Sequence, residues 1–72
     1  MRSPQFERKA PVPSSEEVRQ AREAAGLTQT EAANLVYRSM RNWQQWERAE
    51  RQMDPALWEL FSLKVNLLNP GK

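Results

Sequence analysis

Apolar residues recur at three- and four-residue intervals from Val18 to Ala25, directly after Ser15 and two glutamates and directly before Gly26. These intervals are the period of one face of an α-helix. A serine hydroxyl commonly caps a helix start, glutamates suit the positive end of the helix dipole, and glycine commonly ends a helix in a left-handed conformation. The pattern predicts a first helix from about Glu16 to Ala25, with Ser15 as its N-cap.

A second helix is predicted from about Gln29 to Val36, because Thr28 and Glu31 have the spacing of a capping box. In a capping box the hydroxyl and the carboxylate each bind a free backbone amide at the helix start. The small residues Ala32 and Ala33 lie inside this segment. They would let two helices cross with their backbones close together.

Ser39 is the next N-cap candidate and opens a third helix. Trp43 and Trp46 are three residues apart and share one side of it. Another side follows the same helical spacing but is long, polar and nearly free of acid. This polar face consists of Arg41, Gln44, Gln45 and Arg48.

A fourth helix is predicted to begin at Asp54 and Pro55, because aspartate is a good cap and proline is favoured at the first helical position. Apolar residues keep helical spacing from Leu57 to Leu68, and proline and glycine follow Asn69. No stretch has the alternating pattern of a β-strand. The sequence therefore predicts an all-α protein.

Three prolines fall within the first 13 residues, and each removes a backbone donor and disfavours helix before it. We expect residues 1–13 to form a flexible arm, residues 14–69 to form a single domain and residues 70–72 to form a tail.

The 72 residues include no cysteine and no histidine, so disulfides, a metal site, a cofactor and the commonest general base are not expected. No nucleophile, base and orienting group occur together, which argues against an enzyme. So short a chain buries a small core, which makes a homodimer worth expecting. No apolar run approaches the roughly 20 residues of a membrane span, and the charged start is unlike a signal peptide, so a cytoplasmic protein is expected.

The net charge of +2 arises from 11 basic and 9 acidic residues and by itself says little about partners. Its distribution says more, because three glutamates lie in the first predicted helix and four arginines lie close together in the middle of the chain. These arginines are Arg38, Arg41, Arg48 and Arg51. Charge sorted by face and ordinary solvated helices both fit this distribution.

The segment from Leu27 to Arg48 combines two short helices, a tight turn and a capped polar helix. A helix-turn-helix is built this way: its first helix braces against the DNA backbone while its second helix lies in the major groove. Any small helical bundle also has caps and alanines, so the pattern alone leaves both interpretations open.

From about Val18 to Val65 the chain resembles the helix-turn-helix family of phage Cro and repressor proteins, also called the Xre-like family. The residues that match the family's spacing are Leu27, Thr28, Gln29, Glu31, Ala33, Val36, Ser39, Trp46, Glu47, Arg48, Pro55, Leu57, Leu60 and Phe61. The resemblance implies a compact, lambda-repressor-like bundle of four or five helices whose third helix reads operator DNA, usually as a dimer. The stretch from Trp43 to Glu47 is also similar to one in some phage and plasmid regulators, including those found beside anti-CRISPR genes.

Carried over residue by residue, the resemblance implies two sets of DNA contacts. Base contacts are expected from Met40, Arg41, Gln44 and Gln45, and backbone contacts from Thr28, Gln29, Ser39, Arg48 and Arg51. Arginine can bond guanine O6 and N7 together, and glutamine can bond adenine N6 and N7, which suits Arg41 and Gln45. Met40 offers only apolar contact, with a thymine methyl or within the protein.

The family also pairs an arginine with a glutamate across the first and third helices, and Arg22 and Glu47 match these positions. Such a pair would hold the recognition helix in place, although desolvating both charges is costly. Trp43 matches a buried position, and Trp46 is expected to pack against the first helix. The dimer surface is expected to consist of Trp58, Val65, Leu67 and Leu68.

Two residues depart from the family, because Tyr37 and Ala49 stand where glycines normally make the turn and end the third helix. A left-handed backbone costs a residue with a Cβ roughly 1 kcal/mol. The sequence therefore leaves open a turn of another type, a longer third helix and a one-residue shift of the base contacts.

These observations favour a sequence-specific DNA-binding transcriptional regulator of phage or mobile-element type, expected to repress from a palindromic operator as a homodimer. The alternative is a protein-interaction module on the same fold, such as a phage inhibitor or an antitoxin-like partner binder. A polar face nearly free of acid favours DNA. In the arm, Arg2, Arg8 and Lys9 either follow the minor groove or belong to a simple tail.

Overall fold

The computed structural model describes residues 12–68, which fold into four α-helices. The helices are α1 Ser15–Ala24, α2 Gln29–Leu35, α3 Met40–Glu47 and α4 Pro55–Leu68. The predicted all-α class is confirmed, and the described part of the chain holds four helices without a fifth. None of them combines the length and the apolar character needed to cross a membrane.

Pro13 directly precedes the cap of the first helix. It is buried, and it lines a depression together with Trp46. The division into an arm, a domain and a tail stays a prediction. The expectations for residues 1–11, Asn69 and residues 70–72 lie outside the described residues.

Side-chain oxygens cap the helix starts. Thr28 Oγ1 accepts from Glu31 N at 3.1 Å and Glu31 Oε1 accepts from Thr28 N at 2.9 Å, which completes the predicted capping box of α2. Ser39 Oγ accepts from Asn42 N at 3.1 Å at the start of α3. Asp54 Oδ1 accepts from an amide in the first turn of α4.

The predicted N-cap of α1 is wrong by one residue. Ser14 is the cap, because its hydroxyl accepts from Glu17 N at 3.1 Å while Glu17 Oε1 accepts from Ser14 N at 2.8 Å. A cap at Ser15 would place Val18 where the carboxylate is needed, so only the earlier serine can form the reciprocal pair. α2 likewise ends one residue before the predicted end, with Val36 as its C-cap.

α1, α2 and α3 end in the same hydrogen-bonded turn, with a left-handed residue directly after the C-cap. Gly26 has φ of 74° after α1, and Leu27 N donates back to Arg22 O at 3.1 Å. Tyr37 and Ala49 take the same place after α2 and α3, each with φ of 62°. The turns after α2 and α3 therefore keep the usual geometry without glycine, and α3 ends at Glu47 instead of running longer.

The core draws on all four helices. Ala32 and Ala33 are fully buried where α2 packs on α3, which agrees with the predicted close crossing. Trp43 is fully buried and lies with its ring centroid 5.0 Å from that of Phe61 and 5.3 Å from that of Trp46. Each fully buried large side chain contributes about 1.5–3 kcal/mol. The buried apolar set is Val18, Ala32, Ala33, Val36, Trp43, Trp46, Met53 and Phe61.

The carboxylate of Glu47 in α3 accepts hydrogen bonds from side chains of three helices. Oε2 accepts from Arg22 Nε of α1 and from Trp43 Nε1 of α3, both at 2.6 Å, and Oε1 accepts from Gln29 Nε2 of α2 at 3.0 Å. Arg22 Nη1 also donates to Leu27 O at 3.0 Å. The Arg22 and Glu47 side chains are only 15% and 6% exposed. We call Glu47, Arg22, Gln29 and Trp43 the carboxylate hub, and it joins α1 and α2 to α3.

Opposing effects act on the Glu47 carboxyl. Burial raises its pKa, but hydrogen bonds from Arg22, Trp43 and Gln29 and the arginine charge together bring the pKa below the ordinary glutamate value. A carboxyl whose pKa is lowered by folding stabilises the fold above the unfolded pKa of about 4.3, and that stabilisation is lost as the pH falls through the lowered folded pKa. The hub should therefore be intact at neutral pH and weaken in acid.

Replacing Ala49 by glycine should stabilise the protein by about 0.5–1 kcal/mol, because glycine adopts positive φ without strain and this gain outweighs its extra chain entropy. Urea unfolding measures the change. Ala24→Gly makes the same chemical change at an exposed right-handed residue of α1 and should destabilise instead. Equal effects of the two substitutions would contradict strain at Ala49.

Replacing Glu47 by glutamine should cost about 3 kcal/mol of unfolding free energy at pH 7, because it leaves the largely buried side chain of Arg22 without a countercharge. The difference from the wild type should shrink as the pH falls below the unfolded pKa of about 4.3 and through the lowered pKa of the folded carboxyl, because the wild-type side chain then also becomes neutral. Urea unfolding at pH 7 and pH 3 tests both points. The control Glu59→Gln, at an exposed site on α4, should change stability by less than about 0.5 kcal/mol; a Glu47 variant as stable as this control would refute the hub.

Candidate nucleic-acid interface

The polar face of α3 lies on the protein surface. Arg41, Gln44, Gln45 and Arg48 line one shallow depression, so the fold brings together the four residues that helical spacing grouped. Arg41 and Arg48 are exposed, and the two glutamines are half-buried. Met40 at the start of the helix is also exposed. All five residues therefore lie outside the buried core.

The carboxylate hub orients one of these residues, Gln44, through a hydrogen bond. Gln44 Nε2 donates to Gln29 Oε1 at 3.3 Å, and Gln29 in turn donates to Glu47. Among residues 12–68, no side-chain hydrogen bond joins Arg41 or Gln45 to another residue, and both side chains line the depression. Gln44 is oriented by the protein, whereas Arg41 and Gln45 project from the same rigid helix.

The predicted backbone contacts have different surroundings. Thr28 and Ser39 use a hydroxyl lone pair for capping, which leaves each O–H as a donor at the surface. Gln29 is half-buried and belongs to the carboxylate hub. Arg48 and Arg51 are exposed, and they border different depressions.

A second shallow depression borders α3 and includes residues that were not predicted as DNA contacts. Its polar lining contains Arg38, Asn42, Arg51, Gln52 and Asp54. Only Arg51 among them was predicted as a contact, because Arg38 precedes the helix and Asn42 lies off the polar face in the helical projection. The cluster of arginines in the sequence was the available signal for Arg38. α3 therefore borders two polar depressions.

An acidic residue lies beside the face that was expected to be nearly free of acid. Glu50 joins Arg41, Gln44, Gln45 and Arg48 in lining the first depression. The turn at Ala49 reverses the chain, and Glu50 N donates to Gln45 O at 2.9 Å. Helical spacing could not reveal this neighbour, because Glu50 follows the helix.

The turn between α2 and α3 is tied to α4 by one lysine. Lys64 Nζ donates to Leu35 O and to Tyr37 Oη, both at 2.8 Å, and it lies 4.1 Å from the centroid of the Tyr37 ring. The hydrogen bond and the charge of Lys64 lower the pKa of Tyr37 below its ordinary value. A cation at a helix C-terminus also offsets the negative end of the helix dipole. Lys64 thus supports the turn in which Tyr37 replaces glycine.

The residues expected at a dimer surface separate into two groups. Trp58 and Val65 are half-buried against the core, and the Trp58 ring stacks on that of Phe61 with centroids 6.2 Å apart. Leu67 and Leu68 are exposed, with 78% of Leu67 accessible. Leu63, one helical turn before Leu67, is a further exposed leucine that the sequence analysis did not select. The exposed apolar surface of α4 is therefore Leu63, Leu67 and Leu68.

Comparison with known proteins agrees with this geometry. A family model described as a helix-turn-helix domain matches residues 15–61, which cover α1, α2, α3 and the first half of α4. No curated protein matches the sequence. Proteins of this DNA-binding family are typically not enzymes. The match extends over more than half of the chain, and the chain therefore belongs to the helix-turn-helix domain family, which indicates a DNA-binding regulator.

Proposed function

We propose that the protein is a sequence-specific transcriptional regulator that inserts α3 into the major groove of duplex DNA. The observation that carries the proposal is the polar face of α3, which lies at the protein surface on a helix that the carboxylate hub joins to α1 and α2. Base-edge readout requires side chains that are exposed yet held on a rigid element. This face meets both requirements.

Base recognition is assigned to Met40, Arg41, Gln44 and Gln45. The guanidinium of Arg41 suits guanine O6 and N7, and the amide of Gln45 suits adenine N6 and N7. Gln44 is oriented through its hydrogen bond to Gln29, so it reads DNA with less freedom than Gln45. Met40 supplies apolar contact to a thymine methyl.

Backbone contacts are assigned to Thr28, Gln29, Ser39, Arg48 and Arg51. The hydroxyls at the starts of α2 and α3 keep a donor for phosphate, and the remaining amide hydrogen of Gln29 serves the same purpose. Arg48 and Arg51 add charge. These contacts set the position of α3 and make binding sensitive to salt, whereas the base contacts set sequence preference.

A homodimer on a palindromic operator fits the small core and the exposed leucines of α4. Two copies would place their recognition helices in half-sites about one helical turn, or roughly 34 Å, apart. Leu63, Leu67 and Leu68 are the apolar side chains available to cover one another in such a pair. Within this proposal the protein acts as a repressor of phage or mobile-element type.

Replacing Arg41 or Gln45 by alanine should cost about 1–3 kcal/mol of operator affinity and relax the preference at one base pair. Arg51→Ala should instead weaken selected and random duplexes alike and reduce the dependence of log K on log salt by about 0.9. Selection from a random duplex pool would identify the operator, and fluorescence anisotropy across a salt series would measure each variant.

The matched control for these variants is Gln20→Ala, at an exposed position of α1, which should leave operator affinity within about twofold. Equal losses on selected and random DNA for Arg41, Gln45 and Arg51 variants would reject α3 as the reading helix. A wild-type affinity that does not change with salt would reject DNA binding altogether.

Replacing Leu67 by glutamate should convert the dimer to a monomer, because the association would have to bury an unpaired carboxylate. The fold should be unaffected, since Leu67 is among the most exposed apolar residues. Sedimentation equilibrium at micromolar concentration measures the change, with Thr30→Glu on α2 as a control of equal charge. Identical association of the two variants would show that α4 does not form the interface.

A further inference from the structure

Glu50 is held beside the polar face of α3 by the backbone. Its amide donates to Gln45 O at 2.9 Å in the turn that ends the helix. Its side chain is 53% exposed and lines the depression shared with Arg41, Gln44, Gln45 and Arg48. It is the one carboxylate among the residues that line this depression.

Among the described residues the nearest cation to Glu50 is Arg48, but their pairing is loose. Glu50 Oε2 lies 4.0 Å from Arg48 Nη1, and 67% of the Arg48 side chain is exposed. An exposed pair at this distance is separated easily by water and salt, so neither side chain is locked by the other. Both charges therefore attract or repel a charged ligand that approaches the depression.

Most other acidic side chains of the helices have partners elsewhere, and Glu59 lies on α4 outside the depression. Glu47 binds Arg22 in the carboxylate hub, and Glu31 caps α2. Glu16 and Glu23 both pair with Arg19 on α1. Glu50 differs because its charge offsets an arginine that faces the proposed ligand. An approaching phosphate would meet the attraction of Arg48 and the repulsion of Glu50 at the same place.

We infer that Glu50 restrains the affinity of this face for duplex DNA by cancelling part of the attraction between Arg48 and the phosphate backbone. The inference rests on the proposed function. The interaction between two unit charges at contact distance near a protein surface is strong enough to change a binding constant several-fold. Because the effect is exerted on phosphates, which are present in every duplex, it acts on selected and random sequences equally.

A glutamate in the major groove can also accept a hydrogen bond from the amino group of cytosine. The two roles give opposite results when the charge is removed. A phosphate-repelling glutamate strengthens binding to every duplex when it is neutralised, whereas a cytosine-reading glutamate loses affinity for the selected duplex alone.

The experiment compares Glu50→Gln with Glu59→Gln, which removes one negative charge from an exposed site on α4 that does not line the depression. Each variant is titrated with a selected duplex and a random duplex of equal length between 50 and 300 mM salt. Glu50→Gln should bind both duplexes about three- to tenfold more tightly at low salt. Its salt dependence should steepen by about 0.9, while the ratio of the two affinities and the behaviour of Glu59→Gln stay at wild-type values.

Unchanged affinity of Glu50→Gln, or a gain equal to that of Glu59→Gln, would overturn the inference while leaving the proposed function in place. A loss confined to the selected duplex would overturn it in favour of base reading by Glu50. Absence of salt-dependent binding by the wild type would instead refute the proposed function, and the inference with it. Thermal unfolding of both variants verifies that folding is equal, as expected for exposed glutamates.

Discussion

The arrangement of this domain depends on the buried carboxylate of Glu47. A single negative charge accepts hydrogen bonds from Arg22 in α1, Gln29 in α2 and Trp43 in α3. Breaking such a pair is expensive because the remaining charge stays in a poorly solvated place. The orientation of α3 relative to the helices beneath it is therefore fixed by hydrogen-bond geometry as well as by apolar packing, which alone would tolerate small shifts. The proposed readout depends on that fixed orientation.

A lysine of α4 supports one of the two turns that lack glycine. Tyr37 and Ala49 occupy left-handed positions at φ of 62° without being glycine. At the first, Lys64 binds the end of α2 and the tyrosine hydroxyl and so ties α4 to the turn. The second turn is held by backbone hydrogen bonds, from Ala49 N to Trp46 O at 3.3 Å and from Glu50 N to Gln45 O at 2.9 Å. The two turns thus accept similar backbone strain, and Lys64 of α4 supports the one that precedes α3.

The polar face of α3 combines a side chain that the protein orients with side chains that it leaves free to move. Gln44 is connected through Gln29 to the hub, whereas Arg41 and Gln45 project from the same helix without protein partners among the described residues. Arg48 and Glu50 form a loose pair of opposite charges at one side of this face. In the proposed complex, the fixed helix would supply register, the uncommitted side chains would supply sequence preference, and the loose charges would set the overall strength of attraction.

Local sequence determined the helices, because caps, glycine and apolar spacing act over three or four residues. Helix starts were predicted correctly from Thr28 with Glu31, from Ser39 and from Asp54. The prediction of Ser15 as a cap was wrong because the adjacent Ser14 has a glutamate at the required distance. Helical spacing likewise grouped the four polar residues of α3. Only the tertiary structure decided which way the chain turns after each helix and what faces those residues. That is why three features were not found from sequence: the position of Glu50 beside the polar face, the place of Arg38 and Asn42 in the second depression, and the contact of Lys64 with the turn. The tertiary structure also decided that Trp58 is partly buried, because its stacking on Phe61 depends on where α4 lies against the other helices. Short-range sequence patterns carry no information about such distant contacts.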